Sequence, residues 1–537
     1  VLENAEQLAS LDGHFSAGDR ARCRGVFLMD GEGAEGIEGW GPVLDFKRLL
    51  ALPGDGTFER AMASLDSGRL HTIVYTSGTT GNPKGVMLSQ ANFLQNVAAN
   101  TPRLEMDGAR EETTVVMLPA WHVYERAFEY CAFTSGLQVV YSHAGRFAQD
   151  LIAERPHVLI TVPRVWESIH QKFLKTLSEM PALKRGLLML MIKANQVWLS
   201  AMLYLRGHYV SLKRRSAARR ALAFLVRLGR AIALYPAHAI ANAMFAPFRA
   251  KVGGRLRVAT CGAGSLPKYL DELFNAVGIT VVNAYGMTEC APGILSRTIK
   301  GNTFGSTGVP FDNTEVEIRH PDGSRAGIGE RGIVHVRGPQ VMAGYWRNPE
   351  ATAAVLSQDG WLNTGDLAVL SENGEIIVTG RAKDTIVLMG GEYVEPEPLE
   401  DKLKESRYID HAVVVGQDRK AVSAIVAVNE EELMRLAAEL KLSVGEVDLD
   451  GPNSIENDAV YEVLRSEINS LISRHQGFKP FERIASILAV RNDFSIGKEL
   501  TQTLKIKRAY VQERYRAFMD RLFGEKPEKG TPKKRLT

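Results

Sequence analysis

Ten consecutive residues carry a dense set of anion-binding groups: Thr76-Ser77-Gly78-Thr79-Thr80-Gly81-Asn82-Pro83-Lys84-Gly85. Three glycines let a ligand approach the backbone closely and let successive N–H groups converge on it. Four hydroxyls and one lysine add donors and positive charge, which is what a polyphosphate needs. The loop is not of the Gly-Lys-Ser/Thr type, because Pro83 precedes Lys84 and Gly85 follows it. An apolar strand over residues 73–75 leads in, and a helix is expected to follow from about Ser89, its N-terminus favouring anions. A flexible connector would explain the glycines alone. It does not explain the hydroxyls and the lysine placed after a strand.

The loop resembles the signature of the adenylate-forming superfamily, which includes acyl-CoA synthetases, firefly luciferase and peptide-synthetase adenylation domains. The resemblance implies that Thr76, Ser77, Gly78, Thr79, Thr80, Gly81 and Lys84 hold the β- and γ-phosphates of ATP. Further segments follow in the family's order. His122, in Leu118-Pro119-Ala120-Trp121-His122, falls where the family places a side chain near the substrate carboxylate. Gly262, Ala263 and Gly264 resemble the adenine-side loop. Asn283-Ala284-Tyr285-Gly286-Met287-Thr288-Glu289 matches a core motif. There Tyr285 would lie against adenine, with Ala284 and Gly286 beside it, and Thr288 would touch the α-phosphate. Glu289, with Thr76, would hold Mg²⁺, a hard cation suited to carboxylate and phosphate oxygens.

Asp366, in Trp361-Leu362-Asn363-Thr364-Gly365-Asp366, resembles the ribose-binding carboxylate, and Arg381 a second ribose- and phosphate-side contact. Lys383 falls on the family's hinge. Gly390, Gly391 and Glu392 match the segment that lines the thiol route once the C-terminal domain has rotated. Lys505 takes the place of the catalytic lysine, although Leu504 stands where the family usually has glycine. Lys507 and Arg508 are expected to belong to a basic helix start on a solvated face.

The implied chemistry is ATP-dependent activation of a carboxylic acid to an acyl-adenylate, then transfer to a thiol. Val162-Pro163-Arg164-Val165-Trp166-Glu167 resembles a segment of long-chain fatty acyl-CoA synthetases, so a long-chain fatty acid is the expected substrate. CoA is the first expectation for the thiol. The phosphopantetheine of an acyl carrier protein is the second, because residues 121–126 look like the version in carrier-protein synthetases. A non-catalytic AMP-binding fragment is the alternative of another class, since family members of this type carry a further stretch before this start.

These residues need elements to position them. Apolar runs at 72–75, 113–118, 138–141, 158–162, 256–260 and 280–283 alternate with helical stretches, which indicates an α/β protein with mainly parallel sheet. Residues 305–344 read as a small β-rich subdomain with a Pro321-Asp322-Gly323 turn. After residue 380 a smaller, mobile α+β unit begins. Its strands are expected at 412–415 and 424–428, its helices at 431–440 and 460–475, with an acidic loop at 445–458. The expected domains are 1–380, with its beginning missing, and 381–537, with a frayed basic tail after Phe523.

The composition, 45% apolar and 24% charged, excludes disordered and fibrous classes. The formal charge of +3 hides an asymmetry. No Asp or Glu lies between Met180 and Leu270, whereas 16 Lys or Arg do, so the remainder is acidic. This basic insert, about 180–257, suits either an anionic membrane surface or a cap of helices with a solvated basic face. Nucleic acid is not an expected partner. No segment reads as a membrane span, because the longest uncharged run, 231–248, contains Pro236, Pro247, His238 and Asn242. Four dispersed cysteines and no leader-like start suit the cytoplasm, with peripheral membrane association.

Overall fold

The structure is a computed structural model. It describes residues 5–12, 15–23, 26–29, 40, 43–45, 47–48, 65–76, 83–441, 458–492, 494–501, 503–516, 518 and 522–523. The acidic loop and the basic tail expected from the sequence fall largely outside these residues. The chain forms two compact units, Val1–Arg69 and Leu70–Thr537. In the first, helices Ala5–Asp12 and Ala17–Ala21 accompany two parallel strands, Val26–Leu28 and Val43–Asp45.

A seven-stranded sheet forms the centre of the second unit. Its order is Val309–Pro310, Gly293–Ser296, Val281–Gly286, Val258–Cys261, Val158–Thr161, Thr113–Val116, Gln138–Tyr141. The last five strands are parallel and the first two antiparallel. The middle strands Val-Leu-Ile-Thr and Val-Ala-Thr-Cys are buried along their whole length, as strands covered on both faces must be. At the edge, Gln138 and Tyr141 are exposed. Helix Pro163–Ser178 opens with Pro163, whose fixed φ suits a first helical turn, and packs Trp166 on Phe274 with ring centroids 4.7 Å apart.

A four-stranded antiparallel sheet follows, made of Glu315–Arg319, Arg331–Arg337, Leu362–Leu370 and Ile376–Arg381. The last part of the chain has its own core, around strands Ile409–Val415, Ser423–Val428 and Ile487–Arg491. Helices Pro396–Leu403, Glu430–Glu439 and Asp458–Leu471 accompany them. The result is an α/β protein with a large N-terminal domain and a smaller C-terminal one.

Two expectations change. The loop starting at Thr76 does not lead straight into a helix. Strand Lys84–Ser89 pairs antiparallel with Leu70–Thr76, and only then does helix Gln90–Arg103 begin. Ser89 and Asn92 form its capping box, so the start near Ser89 holds. Among the described residues, the helix long and apolar enough to cross a membrane, by length and composition only, is Ala182–Leu205 rather than the 231–248 run.

Candidate active site

Thr76 and Lys84 face each other as cross-strand partners. Ser77, Gly78, Thr79, Thr80 and Gly81 lie between them in sequence and outside the described residues. The Lys84 ammonium sits 5.1 Å from the centroid of the Tyr345 ring. The Tyr345 hydroxyl donates to Glu289 Oε1 at 2.8 Å. Gly344–Tyr345 pairs with Met87 and Val86, so the edge of the hairpin itself places Tyr345 between Lys84 and Glu289. Burial and the Glu289 carboxylate push the Tyr345 phenol up, which keeps it a donor. Gly85 is explained by packing: a Cβ there would lie 2.9 Å from Ile73 Cγ2 and 3.2 Å from the Tyr75 ring.

The residues assigned to ribose converge. The Tyr285 hydroxyl donates to Asp366 Oδ2 at 2.6 Å, and Arg381 Nε lies 3.0 Å from Asp366 Oδ1. Asp366 and Arg381 are register partners on adjacent strands, and Asp366 is buried. Burial, then the Asp366 charge, hold the Tyr285 phenol well above its ordinary range. Burial and Arg381 lower Lys383, with Lys505 contributing in the same direction. The Asp384 and Asp366 carboxylates pull the other way, so cations and carboxylates meet around Lys383.

Lys505 is exposed and has no side-chain partner among the described residues. Its neighbours differ. The Lys507 ammonium donates to the Gly497 carbonyl at 2.6 Å. Arg508 donates to Glu400 Oε2 at 2.7 Å and to the Val414 carbonyl at 2.9 Å. The expectation of a solvated face for Lys507 and Arg508 is thus corrected: both are pinned, and Arg508 is largely buried. Leu504 has φ +61°, the left-handed region that favours glycine.

His122 is the N-cap of helix Val123–Thr134, its Nδ1 accepting from the Tyr124 N–H at 3.2 Å. Burial lowers its pKa, which favours the neutral ring, and the accepting Nδ1 leaves the ring proton to Nε2. The Tyr124 ring packs on Gly262, where a Cβ would come within 2.9 Å of it. Ala263 is left-handed (φ +60°), and Gly264 lies against Pro163. Ala284 and Thr288 are half-buried, and a Cβ on Gly286 would collide with the Pro292 carbonyl. Gly390 and Gly391 form an exposed turn between strands Ile386–Val387 and Tyr393–Val394. Among the described residues, no hydrogen bond or ion pair joins Gly390, Gly391 or Glu392 to Asp366, Tyr285 or Glu289.

Two features escaped the sequence reading. The charged residues of the 162–167 segment reach the smaller domain: Lys404 Nζ meets Glu167 Oε1 at 2.8 Å, and Arg164 donates to the Asp410 carbonyl at 3.2 Å. The Ser265 hydroxyl adds a bond to Asp401 Oδ2 at 2.7 Å. Glu397, whose carboxylate is 3.6 Å from where a Gly380 Cβ would stand, is the other. Burial pushes its carboxyl up to about 7 against the pull of Lys505. No local motif marks the first, whose partners lie more than 130 residues apart, and Glu397 stands out only through its burial in the fold.

The donor set fits a nucleotide with a hard cation. Glu289 offers Oε2, which has no protein donor among the described residues, and Thr76 a hydroxyl. Among the described residues no group of three or more His, Cys, Asp or Glu gathers at one point. Glu289 Oε2 and the Thr76 hydroxyl are hard oxygen donors of the kind Mg²⁺ takes.

Comparison with known proteins identifies a family and a fold. The AMP-binding enzyme family matches residues 33–346, and the AMP-binding enzyme C-terminal domain matches 383–444. A chloroplastic long-chain-fatty-acid–[acyl-carrier-protein] ligase of Arabidopsis thaliana is 34% identical over 474 residues, covering 86% of this chain and 62% of that protein. A long-chain-fatty-acid–CoA ligase of Mycobacterium bovis is 29% identical over 473 residues, covering 86% and 71%. The chain thus spans less than two-thirds of the Arabidopsis relative. The A-PCP didomain of a carboxylic acid reductase from Segniliparus rugosus, solved with AMP, shares the fold with TM-score 0.65 at 20% identity, covering 93% of this chain and 62% of that one.

Proposed function

Because this chain belongs to the AMP-binding enzyme family, we propose that it activates a long-chain fatty acid with ATP and transfers the acyl group to CoA. The observation that carries this reading is the buried Asp366 carboxylate, bracketed by Tyr285 and Arg381 on the same chain that joins Lys84 to Glu289 through Tyr345. One end suits a ribose, the other a polyphosphate.

In the first half-reaction a carboxylate oxygen attacks the α-phosphorus. The bond from that phosphorus to the bridging oxygen breaks, and pyrophosphate leaves. An anion must approach a polyanion, so cationic groups are needed where charge develops. Lys84 and the loop that precedes it serve the pyrophosphate. Lys505 serves the carboxylate and the bridging oxygen. Neutral His122 lies beside the acid and Thr288 beside the α-phosphate. Gly262, Ala263, Gly264, Ala284 and Gly286 shape the adenine side. Thr76 and Glu289 would hold Mg²⁺, which neutralises phosphate charge when bound. In the second half-reaction the thiolate sulfur attacks the acyl carbon, the bond to AMP breaks, and the thiol proton goes to solvent. Lys383 is the hinge at the domain boundary near Gly380, and its motion brings Gly390, Gly391 and Glu392 to the thiol route. The protein acts in the cytoplasm, peripherally at an anionic membrane, where its acid dissolves.

A second reading has specific support. The relative at 34% identity is named for the acyl carrier protein, whereas the CoA ligase is at 29%. Incubation with ATP, Mg²⁺, oleate or palmitate, and either CoA or holo-carrier protein tests both. Acyl-CoA supports the first reading and acyl-carrier protein the second. Adenylate without either thioester contradicts both. Failure of any acid to release pyrophosphate would mark a non-catalytic AMP-binding protein.

A further inference from the structure

Helices Ala182–Leu205 and Ala217–Met244 pack together as an antiparallel hairpin. Trp198 and His238 stack at 3.6 Å between centroids, and the Trp198 indole N–H donates to the Ala231 carbonyl at 3.1 Å. The inward face of the second helix follows helical spacing through Arg227, Ala231, Leu234, His238 and Ala241. Its opposite face carries Leu222, Leu225, Ile232, Tyr235 and Ile240, each between 58% and 68% exposed. No charged side chain interrupts that row, which runs for about 27 Å at the usual helical rise.

Basic groups flank it. Arg219 and Arg230 stand on its border, and neither has a carboxylate partner among the described residues. The first helix opens with a second exposed apolar row, Leu183, Leu187 and Leu190, accompanied by Lys184 and Arg185. Acidic residues, which would repel an anionic surface, are missing from the entire stretch between Met180 and Leu270. Glu372 meets Arg220 at the start of the helix, while along the row itself the bordering charges are Arg219 and Arg230. An exposed apolar row with cations on its border is the pattern of a helix lying in a lipid–water interface.

Spanning is a poorer account. The first helix has the length, yet buried Asn195 in its middle hydrogen-bonds to the Ala276 carbonyl and to His238. That helix is tied laterally to the enzyme domain. Only the outward side is open to lipid.

We infer that the outward face of helix Ala217–Met244 docks on an anionic bilayer, with Leu222, Leu225, Ile232 and Tyr235 among the upper acyl chains and Arg219 and Arg230 on headgroup phosphates. The inference deepens the long-chain-acid reading and rests on it for its purpose, while its test reads binding alone.

The full chain is sedimented with vesicles of phosphatidylcholine, with and without phosphatidylglycerol. Binding requires the anionic lipid and weakens as salt rises. The Leu225→Glu/Ile232→Glu variant loses affinity by about ten-fold or more, since two buried aliphatic side chains are exchanged for charge. Both positions face solvent, so its circular dichroism and melting temperature match the parent. Arg219→Gln/Arg230→Gln reduces the dependence on phosphatidylglycerol. The inference is overturned if the parent ignores anionic vesicles, or if the double glutamate variant binds as the parent does. It is also overturned if the apolar row instead joins copies of the chain, seen as a lipid-free oligomer that the variant dissociates. Pyrophosphate release from detergent-dispersed acid is measured on the same variants. Lipid binding without acid-dependent release would sink the enzymatic reading and leave the docking face standing.

Discussion

The Tyr285 hydroxyl donates to Asp366 across 2.6 Å, tying the end of a central strand to the β-rich sheet at the point where Arg381 also reaches the carboxylate. A ribose that binds here must share or displace these donors. Asp366→Asn keeps the shape and removes the charge. We expect kcat/KM for ATP to fall by about 10- to 100-fold, the scale of a hydrogen bond to a charged group. Tyr285→Phe should have a smaller effect. An unchanged kcat/KM for ATP in Asp366→Asn would take Asp366 out of the nucleotide site.

Among the described residues Lys505 makes no side-chain hydrogen bond or ion pair, in contrast to Lys507 and Arg508. Lys505→Ala should abolish adenylate formation and spare thioester formation from supplied acyl-adenylate. Equal loss of both steps would assign Lys505 a structural part instead. Arg508→Ala should lower the melting temperature, because it removes the partner of Glu400.

The Glu397 carboxyl titrates near 7 because burial disfavours its charge. Its folded-state pKa lies above the ordinary 4.5, so its neutral form is the one that suits the fold. The contribution is fully present below 4.5 and is lost as pH rises through about 7. Denaturant titrations of the parent should show that decline, and Glu397→Gln should flatten it. A parallel decline in the variant would place the titrating group elsewhere.

Lys404 and Glu167 are both largely buried where the two domains meet. Glu167 also meets Arg164 at 3.3 Å and Lys404 also meets Asp401 at 2.9 Å, so removing Lys404 weakens a network of four charges, at a cost of about 1.5–3 kcal/mol. Lys404→Met should therefore destabilise the chain and expose the 396–403 helix to proteolysis. Lys404→Met/Glu167→Leu should recover much of the loss. If the double variant is no better than the single, the pair is not the contact that matters.

Leu504 holds a left-handed backbone where glycine would be at ease. Leu504→Gly relieves strain of about 1–2 kcal/mol and loses part of that gain to chain entropy. A small rise in melting temperature is expected. A fall would mean that packing of the Leu504 side chain outweighs the strain.

Local pattern made much of this legible. The central strands read as apolar runs because both faces are covered, and the 138–141 strand coincides with its expected bounds. Asp366 and Arg381 were each recognisable from local motifs, and strand register then joined them. Tyr345 was not recognisable, because its role comes from pairing with a hairpin more than 250 residues earlier. The 162–167 segment was noticed for its resemblance to long-chain enzymes. Its charges prove to clasp the C-terminal domain, a contact that no spacing in the sequence reveals. Strand Lys84–Ser89 is not legible in the sequence because Gly85 sits within it, where Ile73 and Trp346 approach too closely for a Cβ.

The most direct test of the central claim is isotope exchange between pyrophosphate and ATP, measured with Mg²⁺ and a long-chain fatty acid but no thiol. Exchange should depend on the acid and disappear in Lys505→Ala. Absence of exchange with every acid, or exchange indifferent to the acid, would contradict the claim.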